Sequence, residues 1–135
     1  MEAVEEISKL APEGVDVLIN NAGIAGSHTT PEQTPKKEIL ELFETNVLAV
    51  NEVTNAFLPL LRKRGPDRVK KILNMSSLLG SIELTNSSEG TAYKISKSCV
   101  TMLTKLQSIQ LAKENFVVYA SHPGLVRTDM TVGIT

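Results

Sequence analysis

The sequence predicts an α/β fold in which helices cover a parallel sheet. Three short apolar segments, residues 15–19, 69–75 and 116–120, have the length and composition of buried strands. Two longer segments with apolar residues at helical spacing separate them along the chain. This order of strand, helix, strand, helix and strand favours right-handed crossovers, and these produce a parallel sheet.

The chain begins with a predicted short helix over residues 2–10. Val4, Ile7 and Leu10 recur every three residues, and acidic residues come early, where they complement the helix dipole. Pro12 follows, so we expect the helix to end before it.

The first predicted strand, residues 15–19, is followed by the small and polar residues 20–23, Asn-Asn-Ala-Gly. Small side chains at a strand end let a ligand approach the backbone. The same residues are also typical of an ordinary turn that ends a strand. The residues alone leave both interpretations open.

A long helix is predicted next, with Thr34 as its N-cap and Pro35 as its first helical residue. Asn46 interrupts its apolar stripe. A buried amide needs hydrogen-bond partners or costs about 1–3 kcal/mol, so Asn46 belongs either to a structural network or to a functional site. The apolar positions of the stripe are Ile39, Phe43, Val50, Val53, Phe57 and Leu60.

The second strand, residues 69–75, ends at Ser76 and Ser77. Ligands of open parallel sheets bind at the carboxyl ends of the strands, so these serines are candidate site residues. A loop over residues 78–90 leads into a second long helix, predicted over residues 91–113. The apolar contacts of this helix are assigned to Val100, Leu103, Leu106, Ile109 and Leu111.

Tyr93 and Lys97 stand four residues apart near the start of that helix, which places them on one face. An ammonium beside a phenol favours the phenolate and lowers the phenol pKa from about 10. Such a phenol can act as a general acid or base. By itself the pair is more often part of an ordinary solvated helix.

Composition limits the function classes. With 135 residues the chain is one domain at most, and 41% hydrophobic with 21% charged residues indicates a globular protein. A net charge of -1 gives no reason to expect nucleic acid or an anionic membrane as a partner, so a small-molecule substrate is favoured. Cys99 is the single cysteine and no apolar run approaches about 18 residues, from which we expect a cytoplasmic protein.

No Cys/His cluster suggests a metal site. His28 and His122 have no second ligand nearby in sequence, and the lone Cys99 is more typical of a structural thiol. We therefore assign no metal and no catalytic role to these three residues.

Five elements occur in a fixed order: residues 20–23 (NNAG), Asn46, Ser77, the Tyr93/Lys97 pair, and residues 123–128 (PGLVRT). This set resembles the short-chain dehydrogenase/reductase family, and the resemblance covers essentially the whole chain. The run SSLLGSIELTNSSEGTAYKISK and the ending HPGLVRTDM look most like its C-factor and sniffer carbonyl-reductase branch. The resemblance implies a Rossmann-type sheet and hydride transfer between a nicotinamide cofactor and a carbonyl or alcohol carbon.

The resemblance also implies roles for individual residues. Tyr93 would donate the proton and Ser77 would stabilise the substrate oxygen. Lys97 would lower the phenol pKa and bind the cofactor ribose, while Asn46 would anchor a water that relays protons to Lys97. By the same analogy Asn20 braces the sheet. The implied cofactor is NADP, with NAD as the alternative, contacted by Asn21, Ala22, Gly23, Tyr93, Lys97, Pro123, Gly124, Val126 and Thr128.

The chain departs from the family pattern in two ways. Ser77 and Tyr93 are 16 residues apart, which leaves Ser76 and Ser81 as alternatives to Ser77. None of the eight glycines forms the glycine-rich turn that binds pyrophosphate, so we expect a single partial domain, residues 1–135, truncated at both ends and lacking the N-terminal βαβ portion.

Two functions therefore remain open: an oxidoreductase of the short-chain class, or a non-catalytic remnant that associates with full-length relatives. Both allow a homo-oligomer formed through the two long helices, residues 46–61 and 91–111.

Overall fold

The computed structural model describes residues 2–131 and contains one three-stranded sheet. The strands are β1 (Val17–Asn20), β2 (Lys70–Met75) and β3 (Phe116–Ser121), in the order β1-β2-β3 and all parallel. Asn20 pairs with Asn74, and Met75 pairs with Ser121, so the carboxyl ends of the three strands lie at one edge. The predicted α/β class with a parallel sheet is confirmed.

Four α-helices accompany the sheet: α1 (Glu2–Leu10), α2 (Lys36–Phe43), α3 (Ala49–Arg62) and α4 (Thr91–Leu111). A π-helical turn, Glu44–Leu48, joins α2 to α3, and 3-10 turns occur at Leu78–Gly80, Ala112–Glu114 and Asp129–Thr131. The predicted first helix is confirmed. β1 begins two residues later than expected, because Val15 donates its N–H to Leu60 O (3.2 Å) in α3 rather than to the sheet.

The predicted N-cap of the long helix is wrong. Pro35, with φ -66° and ψ 142°, is the extended residue before α2, and no side chain caps the helix. Thr34 instead donates its hydroxyl hydrogen to Thr30 O at 2.8 Å. The hydroxyl is thus used within the preceding loop, and it is unavailable to the first turn of α2.

The π turn changes which residues of the long helix are buried, so the predicted apolar stripe is partly wrong. Ala49 N donates to Glu44 O, five residues back, so the turn holds one residue more than an α-helix would. One extra residue rotates the following helix by about 100°. Val53, a predicted member of the stripe, is consequently 40% exposed. The buried residues of this region are Leu42, Asn46, Val47, Val50, Thr54, Leu58, Leu60 and Leu61.

An apolar cluster packs α3 and the end of α4 against β2 and β3. Its buried members are Leu58, Leu61, Ile72, Leu111 and Phe116. Each buried side chain of this size contributes about 1.5–3 kcal/mol to stability through removal from water. This cluster lies toward the amino ends of the strands, away from the candidate site residues.

Near the carboxyl ends of the strands, a polar network replaces the apolar core. Asn20 Nδ2 donates to Thr54 Oγ1 (2.9 Å) and to Asn74 Oδ1 (2.8 Å). Asn74 Nδ2 in turn donates to Thr104 Oγ1 and Gln107 Oε1, both at 2.9 Å. The network therefore joins α3, β1, β2 and α4, which gives Asn20 the bracing contacts that the resemblance implied.

This network also explains an error in the predicted face of α4. Val100 and Leu111 are buried as expected, but Leu106 and Ile109 are 56% and 63% exposed. Because the Asn74 amide requires partners inside the molecule, the polar residues of α4 face the sheet and several apolar ones face outward.

Candidate active site

The predicted site residues lie in the segments that follow the three strands and in the two helices beside them. After β1, Asn21 and Ala22 are exposed and Gly23 is half-buried. Ile24 then forms two hydrogen bonds with Asn46: Ile24 N donates to Asn46 Oδ1, and Asn46 Nδ2 donates to Ile24 O, each at 2.9 Å. The segment after β1 is thereby fixed to the π turn.

Asn46 is 1% exposed, and its amide also reaches the helix that carries Tyr93. Asn46 Nδ2 donates to Ser96 Oγ at 3.0 Å, and Ser96 Oγ donates to Tyr93 O at 2.8 Å. Of the two interpretations left open by the sequence, membership of a structural network is therefore observed. The water relay to Lys97 stays a prediction.

The backbone at Gly23 lies between Asn46 and Lys97. A Cβ at this position would stand 3.2 Å from Asn46 Oδ1 and 3.5 Å from Lys97 Nζ. A side chain would therefore occupy space beside the ammonium that the glycine leaves open. The small residue, the adjacent hydrogen-bond donor and the exposed Asn21 and Ala22 fit a cofactor that lies against the backbone.

Lys97 is buried, and its Nζ donates to Met75 O at 2.8 Å. The same Nζ lies 5.6 Å from the centroid of the Tyr93 ring, so the i, i+4 spacing does bring the two side chains together. Burial lowers the pKa of Lys97, because an ammonium is less stable away from water. Lys97 is thus hydrogen-bonded to the end of β2 and lies beside the Tyr93 ring.

The pKa of Tyr93 is raised above its ordinary value of 10.0. Burial of the phenol is the larger cause, and hydrogen bonding with the Ser77 side chain opposes it by favouring the phenolate. The sequence predicted a lowered pKa through Lys97. The sign differs because burial disfavours the phenolate while the Lys97 ammonium is directed to Met75 O.

The two serines at the end of β2 have different surroundings. Ser76 is 6% exposed, and its hydroxyl contacts Lys97 O (3.1 Å) and Thr101 Oγ1 (2.8 Å) inside α4. Ser77 is half-buried, and its Oγ accepts a hydrogen bond from Leu79 N (3.2 Å). Because the Ser76 hydroxyl is directed into α4, Ser77 stays the predicted site residue. Ser81 Oγ accepts from Leu84 N at 3.3 Å.

Sequence reasoning missed a contact between Gly80 and α4. A Cβ on Gly80 would lie 2.6 Å from Lys97 C and 2.8 Å from Ser98 N, and Ser98 Oγ donates to Gly80 O at 2.7 Å. The turn that carries Ser77 is therefore packed directly on the backbone of the helix that carries Tyr93 and Lys97. The sequence features that could have predicted this contact are Gly80, three residues after Ser77, and the small polar residue Ser98 next to Lys97.

The segment after β3 is exposed. Pro123, Gly124, Val126 and Thr128 all lie on the surface, and Gly124 has φ +80°. Thr128 N donates to Thr131 Oγ1 at 2.9 Å, so this segment forms hydrogen bonds within itself. Ser76 N donates to Ser121 O (2.8 Å), which places the start of the segment beside the serines.

The residues without an assigned role are peripheral: His28 and His122 are exposed, and Cys99 is half-buried. Across residues 2–131, no group of three or more His, Cys, Asp or Glu side chains is arranged to hold a metal ion. Within the same residues, no helix is both long and apolar enough to cross a membrane.

Comparison with known proteins identifies the family. The family model described as short chain dehydrogenase matches residues 1–135. The chain is 34% identical over 116 residues to C-signal of Myxococcus xanthus, covering 86% of this chain and 68% of that protein. The chain therefore belongs to the short-chain dehydrogenase family of oxidoreductases, as the motifs predicted.

Similar solved structures include two carbonyl reductases. The carbonyl reductase Sniffer of D. melanogaster superposes with a TM-score of 0.88 at 34% identity, over 96% of this chain and 56% of that one. The NADPH-bound carbonyl reductase from chicken fatty liver gives a TM-score of 0.87 at 34% identity, over 96% and 54%.

The chain spans about half the length of several relatives. It is 36% identical over 129 residues to the uncharacterized oxidoreductase C663.09c of Schizosaccharomyces pombe, covering 96% of this chain but 49% of that protein. This partial coverage agrees with the expected fragment.

Proposed function

We propose that the chain is the catalytic part of an oxidoreductase that transfers a hydride between a nicotinamide cofactor and a carbonyl or alcohol carbon. The observation that carries this proposal is the contact of Lys97 with Tyr93 on α4, next to the turn that carries Ser77. Lys97 Nζ lies 5.6 Å from the centroid of the Tyr93 ring, and a Cβ on Gly80, three residues after Ser77, would lie 2.6 Å from Lys97 C. In this proposal residues 1–135 form a single partial nucleotide-binding domain.

The bound nicotinamide would supply or accept the hydride. During carbonyl reduction negative charge grows on the substrate oxygen, which therefore needs a proton donor and a hydrogen-bond donor. Tyr93 holds its proton because burial raises its pKa, so the phenol is in the correct state to donate it. The Ser77 hydroxyl is the second donor, and Lys97 supplies positive charge beside the phenolate that remains.

NADP is the proposed cofactor, with Asn21, Ala22, Gly23, Tyr93 and Lys97 on one side of its site. Pro123, Gly124, Val126 and Thr128, on the segment after β3, would hold the nicotinamide end. The open space at Gly23 supports the first group, and the NADPH-bound carbonyl reductase among similar structures supports the choice of NADP. The substrate is proposed to be a small-molecule carbonyl compound or alcohol.

A substitution at Tyr93 tests the proposed role in the full chain. Tyr93→Phe keeps the ring but removes the proton, so turnover of a panel of aldehydes and ketones should fall by about 100-fold or more. NADPH affinity, followed by cofactor fluorescence, should stay within about twofold of the parent value.

Tyr119→Phe is the matched control, because Tyr119 lies on β3 and its side chain is 44% exposed. This variant should retain the parent turnover. Equal turnover in the Tyr93→Phe and parent chains would refute the assigned acid. If the parent binds NADPH without reducing any carbonyl, the non-catalytic remnant is favoured instead.

We also propose a cytoplasmic location. The single cysteine supports a reducing compartment.

We further propose a homo-oligomer formed through the long helices. An apolar stripe is exposed along α4 and supports this association; its members are Ile95, Met102, Leu106 and Ile109. Sedimentation equilibrium should then give a smaller mass for Leu106→Glu than for the parent chain. Lys105→Glu, the control on the same helix, should have the mass of the parent. Equal masses for all three chains would contradict this interface.

A further inference from the structure

The first turn of α4 receives its cap from a distant loop. Gly90, which precedes the helix, has φ +74° and offers no side chain to the unpaired N–H groups of the first turn. Thr91 donates both its N–H (3.3 Å) and its hydroxyl hydrogen (3.0 Å) to Thr29 O. Thr91 is 9% exposed, so this contact is shielded from water.

The carboxylate of Glu38 binds the loop that contains Thr29 at Ser27. Ser27 N donates to Glu38 Oε1 at 2.7 Å, and Ser27 Oγ lies 2.9 Å from Oε1 and 2.8 Å from Oε2. Hydrogen bonds to an ionised acceptor are about twice as strong as neutral ones. A Cβ on Gly26 would overlap Glu38 Oε1, so the glycine permits the loop to approach α2 this closely.

A line of hydroxyl groups continues from Ser27 to Thr29. Ser27 Oγ lies 2.9 Å from Thr29 Oγ1, which lies 2.9 Å from Thr34 Oγ1. Thr34 then donates to Thr30 O at 2.8 Å, which closes the loop on itself. The carboxylate of Glu38 therefore fixes Thr29, whose carbonyl caps the helix.

We propose that Glu38 is a positioning residue for Tyr93. Through Ser27 and Thr29 it holds the first turn of α4, and hence the phenol two residues further on, against the segment that follows β1. This inference rests on the proposed function, since positioning matters only if Tyr93 transfers a proton.

The other end of the same loop strengthens the inference. Ile24 is hydrogen-bonded on both sides to Asn46, and residues 21–23 just before it form the proposed cofactor-lining segment. The loop over residues 24–34 thus follows the proposed cofactor-lining segment at one end, and at Thr29 it contacts the start of α4. In this proposal Glu38 sets the distance between the cofactor-lining segment and the start of α4.

The test compares three variants in a Tyr119→Phe background, in which Tyr93 is the single tyrosine. Glu38→Ala removes the acceptor, Glu38→Gln keeps an acceptor oxygen without charge, and Glu41→Ala removes an exposed carboxylate from the same helix. Amide exchange at Thr91 is followed by NMR, and the Tyr93 phenol is titrated by its ultraviolet absorbance.

Glu38→Ala should accelerate exchange at Thr91 by about tenfold or more, because the first turn of α4 opens locally. The pKa of Tyr93 should fall toward 10.0, because the phenol loses the burial that raises it. Glu38→Gln should give a smaller acceleration and a smaller fall in pKa than Glu38→Ala, because it keeps one acceptor oxygen but loses the charge. Glu41→Ala should leave both values unchanged. Unchanged exchange and titration in Glu38→Ala would overturn the proposal, as would equal effects of Glu38→Ala and Glu38→Gln.

Ser27→Ala provides a milder variant if Glu38→Ala fails to fold, because the Ser27 N–H contact with Glu38 remains. It should give a smaller acceleration at Thr91 in the same direction, and no acceleration would count against the proposal. These measurements do not depend on turnover. A Tyr93→Phe chain with full turnover would refute the proposed function and leave the exchange result intact, so the two failures are distinguishable.

Discussion

The segments that follow β2 and β3 lie at the same edge of the sheet but are held in different ways. After β2, Ser76 is hydrogen-bonded into α4, and Gly80 packs on the α4 backbone. After β3, residues 122–128 are exposed, and Thr128 and Thr131 bond to each other. The first segment carries Ser77, the proposed hydrogen-bond donor to the substrate oxygen, and the second carries the proposed contacts to the nicotinamide.

This difference indicates that the segment carrying Ser77 is fixed by the fold itself, whereas the segment after β3 is not. The segment after β2 is held by the packing of Gly80 on α4 and by the hydrogen bonds of the buried Ser76, so changes there should affect stability as well as the proposed chemistry. The segment after β3 has few contacts with the rest of the molecule within residues 2–131. Changes there should leave stability nearly unaltered.

The largest expected effect is that of Gly80→Ala. A Cβ would stand 2.6 Å from Lys97 C, a backbone atom that cannot move without displacing α4. We expect the free energy of unfolding to fall by about 3 kcal/mol, as for severe overpacking of a core, measured by urea denaturation.

Gly124→Ala is the matched change after β3. No heavy atom lies within 4 Å of its added Cβ, so the cost should be limited to the strain of φ +80°, about 1 kcal/mol. Equal losses for the two variants would contradict the difference between the segments.

The contrast also shows how far the sequence could be read. The three strands, their parallel arrangement, the three helical regions and the shared sheet edge followed from apolar patterns and breakers, although the predicted single long helix is divided into α2 and α3 by the π turn. The Tyr93/Lys97 contact followed from i, i+4 spacing, because helical geometry alone fixes it. These predictions succeeded because each depends on local periodicity or on a general topological rule.

The errors arose where a long-range contact overrides a local pattern. A buried Asn74 turned the polar side of α4 inward, and no pattern within α4 shows this. The π turn at Asn46 shifted the buried side of α3, so Val53 became exposed. The sign of the Tyr93 pKa shift was wrong because it depends on burial, which spacing does not report.

A smaller effect is expected for Ser76→Ala. Its hydroxyl contacts Lys97 O and Thr101 Oγ1 in a buried position, so its removal should lower the free energy of unfolding by about 1–2 kcal/mol. Thr128→Ala, at an exposed site after β3, should change it by less than about 0.5 kcal/mol. Both free energies of unfolding are measured by urea denaturation. An equal loss of stability in Thr128→Ala and Ser76→Ala would show that the segment after β3 is held as firmly as the segment after β2.

The smallest effect concerns pH. The folded-state pKa of Tyr93 is raised above 10.0, so the folded chain holds this proton more tightly than the unfolded chain does. The contribution to stability is therefore complete below pH 10.0 and is lost as the pH rises through the folded-state pKa. Urea denaturation at several pH values on either side of 10.0 measures this loss.

Tyr93→Phe has no proton to lose, so its free energy of unfolding should decline less steeply above pH 10.0 than that of Tyr119→Phe, which retains the phenol between Ser77 and Lys97. Lysines titrate in the same range, but they are common to both variants and largely cancel in the difference. Parallel pH profiles would mean that the phenol is not buried in the folded chain. Residues 77–80 would then hold Tyr93 no more closely than the exposed segment after β3 holds its own side chains.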